Sequence, residues 1–192
     1  MLLLTLVFST GESGSVRAAR KGDRRAFDTL VGAYTAPLRG FLIRRVGAEL
    51  ADDVMQETWM AAWAAIRSYS GKSGFKAWLF GIALHKGTDA LRTRGRSTAV
   101  AWSDLLENTV SSGPDPYETT VNSHVIRGVL AEMPEAQREV LELYYYAELT
   151  LSEIAEILGR NLNTVKYQFY RAHAAAADRL PEFQNPTGGS QP

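Results

Sequence analysis

Residues Leu149–Leu180 read LTLSEIAEILGRNLNTVKYQFYRAHAAAADRL. Thr150-Leu151-Ser152-Glu153 has the spacing of a capping box, in which the threonine hydroxyl and the glutamate carboxylate each satisfy a backbone N–H at a helix start. The short helix it opens holds Leu151, Ile154, Ala155, Ile157 and Leu158, and Gly159 ends it. A last helix opens near Asn163 and runs to about Leu180. Val165, Phe169, Ala172, Ala176 and Leu180 recur every three or four residues and form one inward stripe. The other side presents Asn163, Thr164, Lys166, Tyr167, Gln168, Tyr170 and Arg171. A capped short helix, a glycine turn and a longer helix fit a helix-turn-helix, which reads bases with the N-terminal part of its second helix. Asn and Gln pair bidentately with adenine and Arg with guanine, while Lys and Tyr reach phosphates. An ordinary helical hairpin with a polar outer face fits the same pattern.

Upstream of this stretch the pattern stays helical, and no segment alternates with period two. Val125, Val129, Leu130 and Met133 mark one helix. Pro134 suits the first position of the next, which carries Val140, Leu141, Leu143 and Tyr144. Before them, residues 97–122 hold Ser111-Ser112-Gly113-Pro114-Asp115-Pro116, a linker composition too long for a loop inside one compact domain. In the N-terminal half, Asp23 is a candidate N-cap for a helix carrying Ala26, Phe27, Leu30, Val31 and Tyr34. Pro37 predicts a break or kink, after which Leu38, Phe41, Leu42 and Val46 resume the face. A third helix spans about Ala51–Ser68, with Val54, Thr58, Ala61, Ala62, Ala65 and Ile66 inward and Met55, Trp59 and Trp63 alongside. Gly71 and Gly74 mark a loop, and a fourth helix runs from about Phe75 to Arg94. Trp59, Trp63 and Trp78 lie on or beside apolar stripes and read mostly as core. The expected fold is all-α: two small helical domains, 15–96 and 123–180, joined by a flexible linker over 97–122. A ragged N-terminus (1–14) precedes them and a disordered tail (181–192) follows.

The composition narrows the function. The chain has 192 residues, 21 basic and 21 acidic, and no cysteine. That excludes disulfides, a cysteine nucleophile and thiolate metal sites, and it fits a reducing compartment. The zero net charge conceals an uneven distribution: 15 Lys/Arg against 8 Asp/Glu over residues 1–100, 2 against 11 over 101–158, and 4 against 2 over 159–192. A basic first half and a mildly basic end thus flank an acidic middle. The opening MLLLTLVFST is far shorter than the roughly 20 apolar residues of a membrane span and lacks the charged start of a signal peptide. No membrane insertion is expected.

The motifs then become specific. Met133-Pro134, Arg138-Glu139-Val140-Leu141, Glu153-Ile154-Ala155, Leu158-Gly159, Thr164-Val165-Lys166 and Arg171-Ala172 resemble region 4 of the sigma-70 family of RNA polymerase sigma factors, in its extracytoplasmic-function (ECF) group. Asp53-Val54-Met55-Gln56-Glu57-Thr58, Trp78-Leu79, Ile82-Ala83 and Asp89-Ala90-Leu91-Arg92 resemble region 2 of the same family. The two blocks cover most of residues 16–96 and 123–180, in order.

The resemblance implies an alternative sigma factor, cytoplasmic and without cofactor or metal, that joins core RNA polymerase through its β′ and β subunits and directs initiation at −10 and −35 promoter DNA. An anti-sigma protein is a further partner it suggests. It assigns core docking to Asp52, Asp53, Gln56 and Glu57. It assigns capture of a −10 base to the loop with Ser70, Gly71 and Lys72. Lys72 and Lys76 can neutralise phosphate there, and Lys86, Arg92, Arg94 and Arg96, four cations in eleven residues, form a basic stripe that suits −10 phosphates. The resemblance assigns −35 contact to Asn163, Thr164, Lys166, Tyr167, Gln168, Tyr170 and Arg171. Three positions depart from the family pattern: Asn163 where glycine is usual, Gln168 where arginine is common, and His85 where asparagine is common. The first two bear on −35 preference, not on the fold. The acidic linker, Ser103–Glu118, is expected to run near the RNA exit path, its charge imitating nucleic acid in a basic channel.

Two other functions compete. An enzyme finds no motif: His85, His124 and His173 lack metal-site spacing, and no glycine-rich phosphate loop or serine elbow is present. A stand-alone duplex-binding regulator explains residues 149–180 but leaves the Gln56-Glu57 block unused.

Overall fold

The computed structural model describes residues 12–94, 129–130 and 132–177. The expected ragged start (1–11 of it), the linker, Arg96, His124, Val125, Leu180 and the tail lie outside them. The described residues are helical, without strands, in two units.

The first unit comprises α1 (12–20), α2 (Arg24–Val46), α3 (Ala48–Ala65), a 3-10 turn (Ile66–Ser68) and α4 (Phe75–Thr93). α2 begins where the Asp23 carboxylate accepts the backbone N–H of Arg25 and Ala26 at 2.9 and 3.2 Å, as the sequence suggested. Pro37 does not interrupt it. Proline removes one backbone hydrogen bond, but Leu30 before it and Leu38, Phe41 and Leu42 after it are all buried. Burial of that continuous stripe, at about 1.5–3 kcal/mol per large side chain, outweighs the lost bond. Gly47, at φ +89, reverses the chain between α2 and α3 in one residue, a conformation that glycine adopts without a Cβ clash. Phe41 meets Phe80 edge-on, centroids 5.3 Å apart, tying α2 to α4. Thr58 is fully buried on α3, and its hydroxyl donates to the Val54 carbonyl at 2.7 Å.

The second unit comprises α5 (Glu135–Tyr145), α6 (Leu151–Leu158) and α7 (Leu162–Ala177). Pro134 stands one position earlier than expected: its ψ of 137° is extended, so it caps α5 from outside. The capping box at α6 forms in both directions, and Gly159 closes the helix in the left-handed region at φ +60. Ile154, Val165, Phe169, Ala172 and Ala176 converge in the core of this unit.

The units are in contact. α4 packs on α6, where Gly81 leaves room for Ile157: a Cβ at Gly81 would lie 3.2 Å from Ile157 Cγ2. α2 meets α5 through a buried ion pair, Arg45 Nη1 to Glu142 Oε2 at 2.5 Å.

Candidate polymerase and nucleic-acid interfaces

The side chains assigned to core docking share the exposed face of α3. Asp52, Asp53, Gln56 and Glu57 are all exposed, because Leu50, Ala51, Val54, Thr58 and Ala62 turn the opposite face inward. Asp52 receives a bidentate contact from Arg39 on α2, Nε at 2.7 Å and Nη2 at 3.3 Å. That guanidinium holds the Asp52 carboxyl below the usual range. Glu57 pairs with Lys86 of α4 at 3.4 Å. The exposed face continues, now apolar, through Met60 and Trp63, which are 66% and 38% exposed.

Trp63 therefore corrects the core reading. Its ring packs on Phe27, centroids 4.9 Å apart, yet one edge stays in water. Trp59 is half-buried against the same Phe27 at 5.8 Å, its indole N–H buried without an acceptor among the described residues. Phe27, Trp59, Met60 and Trp63 line a shallow hollow with Arg24 and Asp28. A stripe acidic at one end and aromatic at the other has the mixed composition of a protein-binding surface, an apolar centre beside a polar rim. Helical spacing from Gln56 and Glu57 reaches Met60 and Trp63, a signal the sequence contained.

The residues assigned to −10 DNA fall into two groups. Ser70, Gly71 and Lys72 form the exposed tip of the loop before α4, with Gly71 at φ +77. The Lys72 N–H bonds to Ser70 Oγ at 3.3 Å, and the Tyr69 hydroxyl donates to the Ser73 carbonyl. Beneath the tip lies an aromatic nest of Tyr34, Tyr69, Phe75 and Trp78, with centroid separations of 4.9–6.3 Å. Burial pushes the Tyr34 and Tyr69 phenols up, so both remain neutral donors.

Most of the described cations of this set lie beside carboxylates. Lys76 pairs with Glu148 of the second unit at 3.4 Å, Lys86 with Glu57, Arg92 with Asp89 at 3.9 Å and Arg94 with Glu49 at 3.3 Å. Lys86 thereby belongs with the α3 face rather than with the loop. Only Lys72 of this set lacks an acidic partner among the described residues. Exposed pairs of this kind contribute at most about 1 kcal/mol each, so a phosphate can displace them.

The α6–α7 pair carries the residues assigned to −35 DNA. Asn163, Thr164, Lys166, Tyr167, Tyr170 and Arg171 stand outside, with Tyr167 62% and Tyr170 61% exposed, while the stripe from Val165 to Ala176 faces in. The Arg171 guanidinium lies over the Tyr167 ring at 5.9 Å. Gln168 is half-buried and accepts from Arg160 Nη1 at 3.3 Å, so its amide oxygen is already engaged. Arg160 also reaches Glu139 Oε2 at 2.8 Å and the Ala136 carbonyl at 3.3 Å. One side chain thus fixes the turn to both α5 and α7. Asn161 caps α7 by accepting the Asn163 N–H at 2.8 Å. Sequence reasoning missed both residues, although Asn before a helix is a recognised signal.

His85 is exposed, and His173 is buried with its Nε2 2.5 Å from the Tyr145 hydroxyl. No cluster of metal-ligating side chains occurs among the described residues, nor any helix long and apolar enough to cross a membrane.

This geometry can be set beside known proteins. The family model for sigma-70 region 2 matches residues 30–97, and that for sigma-70 region 4 matches residues 119–175. The chain is 30% identical over 176 residues to the RNA polymerase sigma-H factor of Pseudomonas aeruginosa, covering 83% of this chain and 89% of that one. The chain belongs to the sigma-70 family of RNA polymerase sigma factors, in its ECF group. This sigma factor is also 26% identical over 175 residues to the ECF sigma-E factor of Haemophilus influenzae, covering 86% and 93% of the two chains. It is 28% identical over 176 residues to the ECF sigma factor SigW of Bacillus subtilis. Among solved structures, CnrH in complex with the cytosolic domain of CnrY superposes with a TM-score of 0.67 at 25% identity, over 90% of this chain and 98% of that one. RpoE in complex with the anti-sigma factor NepR from Bartonella quintana superposes with a TM-score of 0.63 at 24% identity, over 81% and 96%, a likeness of fold.

Proposed function

We propose that this sigma factor is a cytoplasmic, non-enzymatic initiation factor whose α3 face docks on core RNA polymerase while its two units read the −10 and −35 elements. The observation that carries the reading is that one chain holds both an outward acidic-to-aromatic stripe on α3 and an outward reading face on α7.

Asp53, Gln56 and Glu57 supply polar contacts to polymerase, and Met60 and Trp63 the desolvated anchor that such interfaces need. The loop around Ser70, Gly71 and Lys72 receives an unstacked −10 base. Small residues and a left-handed glycine allow close approach, and the nest beneath supplies aromatic surface. Lys76, Arg92 and Arg94 follow the backbone phosphates once their acidic partners are displaced, and Arg96 belongs to the same reading. On α7, Asn163, Thr164 and Lys166 enter the −35 major groove, with Tyr167, Tyr170 and Arg171 at its walls. Gln168, held by Arg160, acts as a support for that surface more than as a base reader. The acidic linker imitates nucleic acid on the polymerase surface. An anti-sigma partner belongs to the same reading, since the two solved structures named above are complexes, one with a protein described as an anti-sigma factor.

The test is a titration of fluorescently labelled chain with core polymerase and, separately, with promoter duplex. Tight binding to core and weak binding to duplex alone supports the reading. Tight, sequence-specific duplex binding by the free chain would overturn it in favour of a stand-alone regulator.

A further inference from the structure

The turn between α6 and α7 carries a guanidinium held on three sides. Arg160 Nη2 donates to Glu139 Oε2 at 2.8 Å. Its Nη1 donates to the Ala136 carbonyl and to Gln168 Oε1, each at 3.3 Å. The backbone beneath is fixed as well: the Arg160 N–H donates to the Ala155 carbonyl at 3.0 Å, and Asn161 Oδ1 accepts the Asn163 N–H at 2.8 Å. A guanidinium is a rigid planar fork, and here its side chain is 29% exposed against 12% for Glu139, so the cluster is sheltered enough to keep one geometry. All these partners lie in the second unit, and the arrangement therefore travels with α7 to whatever α7 binds.

The consequence falls on Gln168. A glutamine amide offers an acceptor oxygen and a donor nitrogen. Turning this amide over would set its NH2 against the guanidinium N–H, donor against donor, so the oxygen faces Arg160 and the nitrogen faces away. Gln168 Nε2 makes no hydrogen bond among the described residues. The helical neighbours of Gln168 four positions before and three after it are Thr164 and Arg171, both exposed on the reading face. Gln168 thus borders that face with a donor alone. Recognition of adenine by glutamine needs both halves of the amide, the nitrogen for N7 and the oxygen for the N6 amino group. A lone donor cannot single out adenine, because guanine and thymine also offer it a major-groove acceptor. The departure at 168 fits this arrangement: an arginine there would face the Arg160 guanidinium as a like charge, whereas glutamine gives it an acceptor.

We propose that Arg160 sets the −35 preference of this chain from outside the reading face: by occupying Gln168 Oε1 it bars the adenine contact that glutamine would otherwise make. Arg160 is a positioning residue in this scheme. The inference deepens the supporting role given to Gln168 and rests on the assignment of α7 to −35 DNA.

The test uses holoenzyme assembled from core polymerase and the full-length chain. It transcribes a promoter library randomised across the −35 element, in which each template carries a transcribed barcode that reports its −35 sequence. Four chains are compared: unmodified, Arg160→Met, Gln168→Ala and the two changes combined. Freed from Arg160, Gln168 should gain a preference for adenine at one −35 position of about 5-fold or more, the low end of a bidentate base contact. That preference should be absent from the unmodified chain and from Gln168→Ala, and should vanish in the double variant. A merely structural Arg160 would weaken all promoters alike and create no preference. The proposal is overturned by an active Arg160→Met chain with no new preference, or by a new preference that survives Gln168→Ala. An adenine preference that the unmodified chain already shows and Gln168→Ala removes would overturn it equally. Should Arg160→Met lose its helicity, Gln168→Glu carries the test. A free carboxylate at 168 would accept from the N4 amino group of cytosine, whereas one held by Arg160 would not. Unchanged −35 selection supports the proposal, and a gain of cytosine overturns it. Lys166→Ala and Arg171→Ala report on the assignment beneath. If neither they nor Arg160→Met alter the selected sequences, α7 does not read the −35 element and both readings fail; if they do and Arg160→Met does not, the role of Arg160 alone is refuted.

Discussion

Arg45→Met is the substitution whose consequence the structure specifies most fully. The methionine keeps most of the aliphatic volume and deletes a guanidinium that is 1% exposed and 2.5 Å from Glu142. Opposite charges whose centres are roughly 4 Å apart attract by about 4 kcal/mol at an effective dielectric of 20, and breaking one side of a buried pair costs about 3–5 kcal/mol. Glu142 would keep only Arg138, at 3.6 Å. The chain has a way to avoid that cost, because opening the contact between the units returns Glu142 to water while each unit keeps its own core. The ratio of closed to open chain should therefore drop by about 10²- to 10⁴-fold, with helicity retained. Circular dichroism and energy transfer between labels at positions 29 and 175 separate the two effects. Burial already pushes the Glu142 carboxyl up. A carboxyl raised in the closed state binds its proton more tightly there, so acid favours closing and rising pH opposes it. Closing of Arg45→Met should accordingly recover as pH falls. Adding Arg138→Met and Glu142→Leu, which removes every charge of the triad, should restore the contact at neutral pH. Unchanged energy transfer in Arg45→Met would refute the burial of this pair in solution. A triple variant as open as the single one would refute the claim that uncompensated charge is the cause.

Three further outcomes follow from exposure and local contacts. Gln56→Ala/Glu57→Ala alters exposed side chains on α3, so thermal stability should move by no more than about 0.5 kcal/mol while core affinity falls in the titration; loss of helicity would show a structural role instead. Lys166→Ala and Arg171→Ala, also exposed, should each weaken −35-dependent transcription without unfolding, and each should lower the salt dependence of promoter binding by about one counterion. The Tyr145 phenol is pushed up to about 12, chiefly by burial. A group raised in the native state contributes stability below its unfolded value and loses it as pH rises through the native one, so the structure around His173 should loosen in strong alkali. Ultraviolet titration of the chain against Tyr145→Phe should show a late-titrating tyrosine missing from the variant.

What was legible in the sequence was mostly local. Asp23, Thr150 with Glu153, and Gly159 announce helix ends because their chemistry acts within four residues. The α7 stripe reads correctly because Val165, Phe169, Ala172 and Ala176 all face one core. The break that Pro37 suggested does not occur, because the cost of one missing hydrogen bond is set against burial by residues a turn or two away. Trp63 misleads because aromatic spacing does not distinguish a ring that closes a core from one that borders it. The sequence reads Lys86, Arg92, Arg94 and Arg96 as a phosphate-binding stripe and Lys72 and Lys76 as further phosphate contacts, and it does not show the acids that the tertiary fold brings near, such as Glu148, 72 positions from Lys76. Arg45, Arg138 and Glu142 were invisible for a related reason: a charge beside an apolar stripe ordinarily marks the solvent boundary, and only the second unit turns that boundary into an interior.

The most direct test of the central claim is run-off transcription by core polymerase on a pool of genomic promoters, with and without this chain, with transcript starts mapped. The account predicts new transcripts that begin downstream of a shared, fixed-spacing pair of elements, and that vanish with Gln56→Ala/Glu57→Ala. A folded chain that binds core polymerase yet yields no new start, or transcripts unaffected by that substitution, would contradict it.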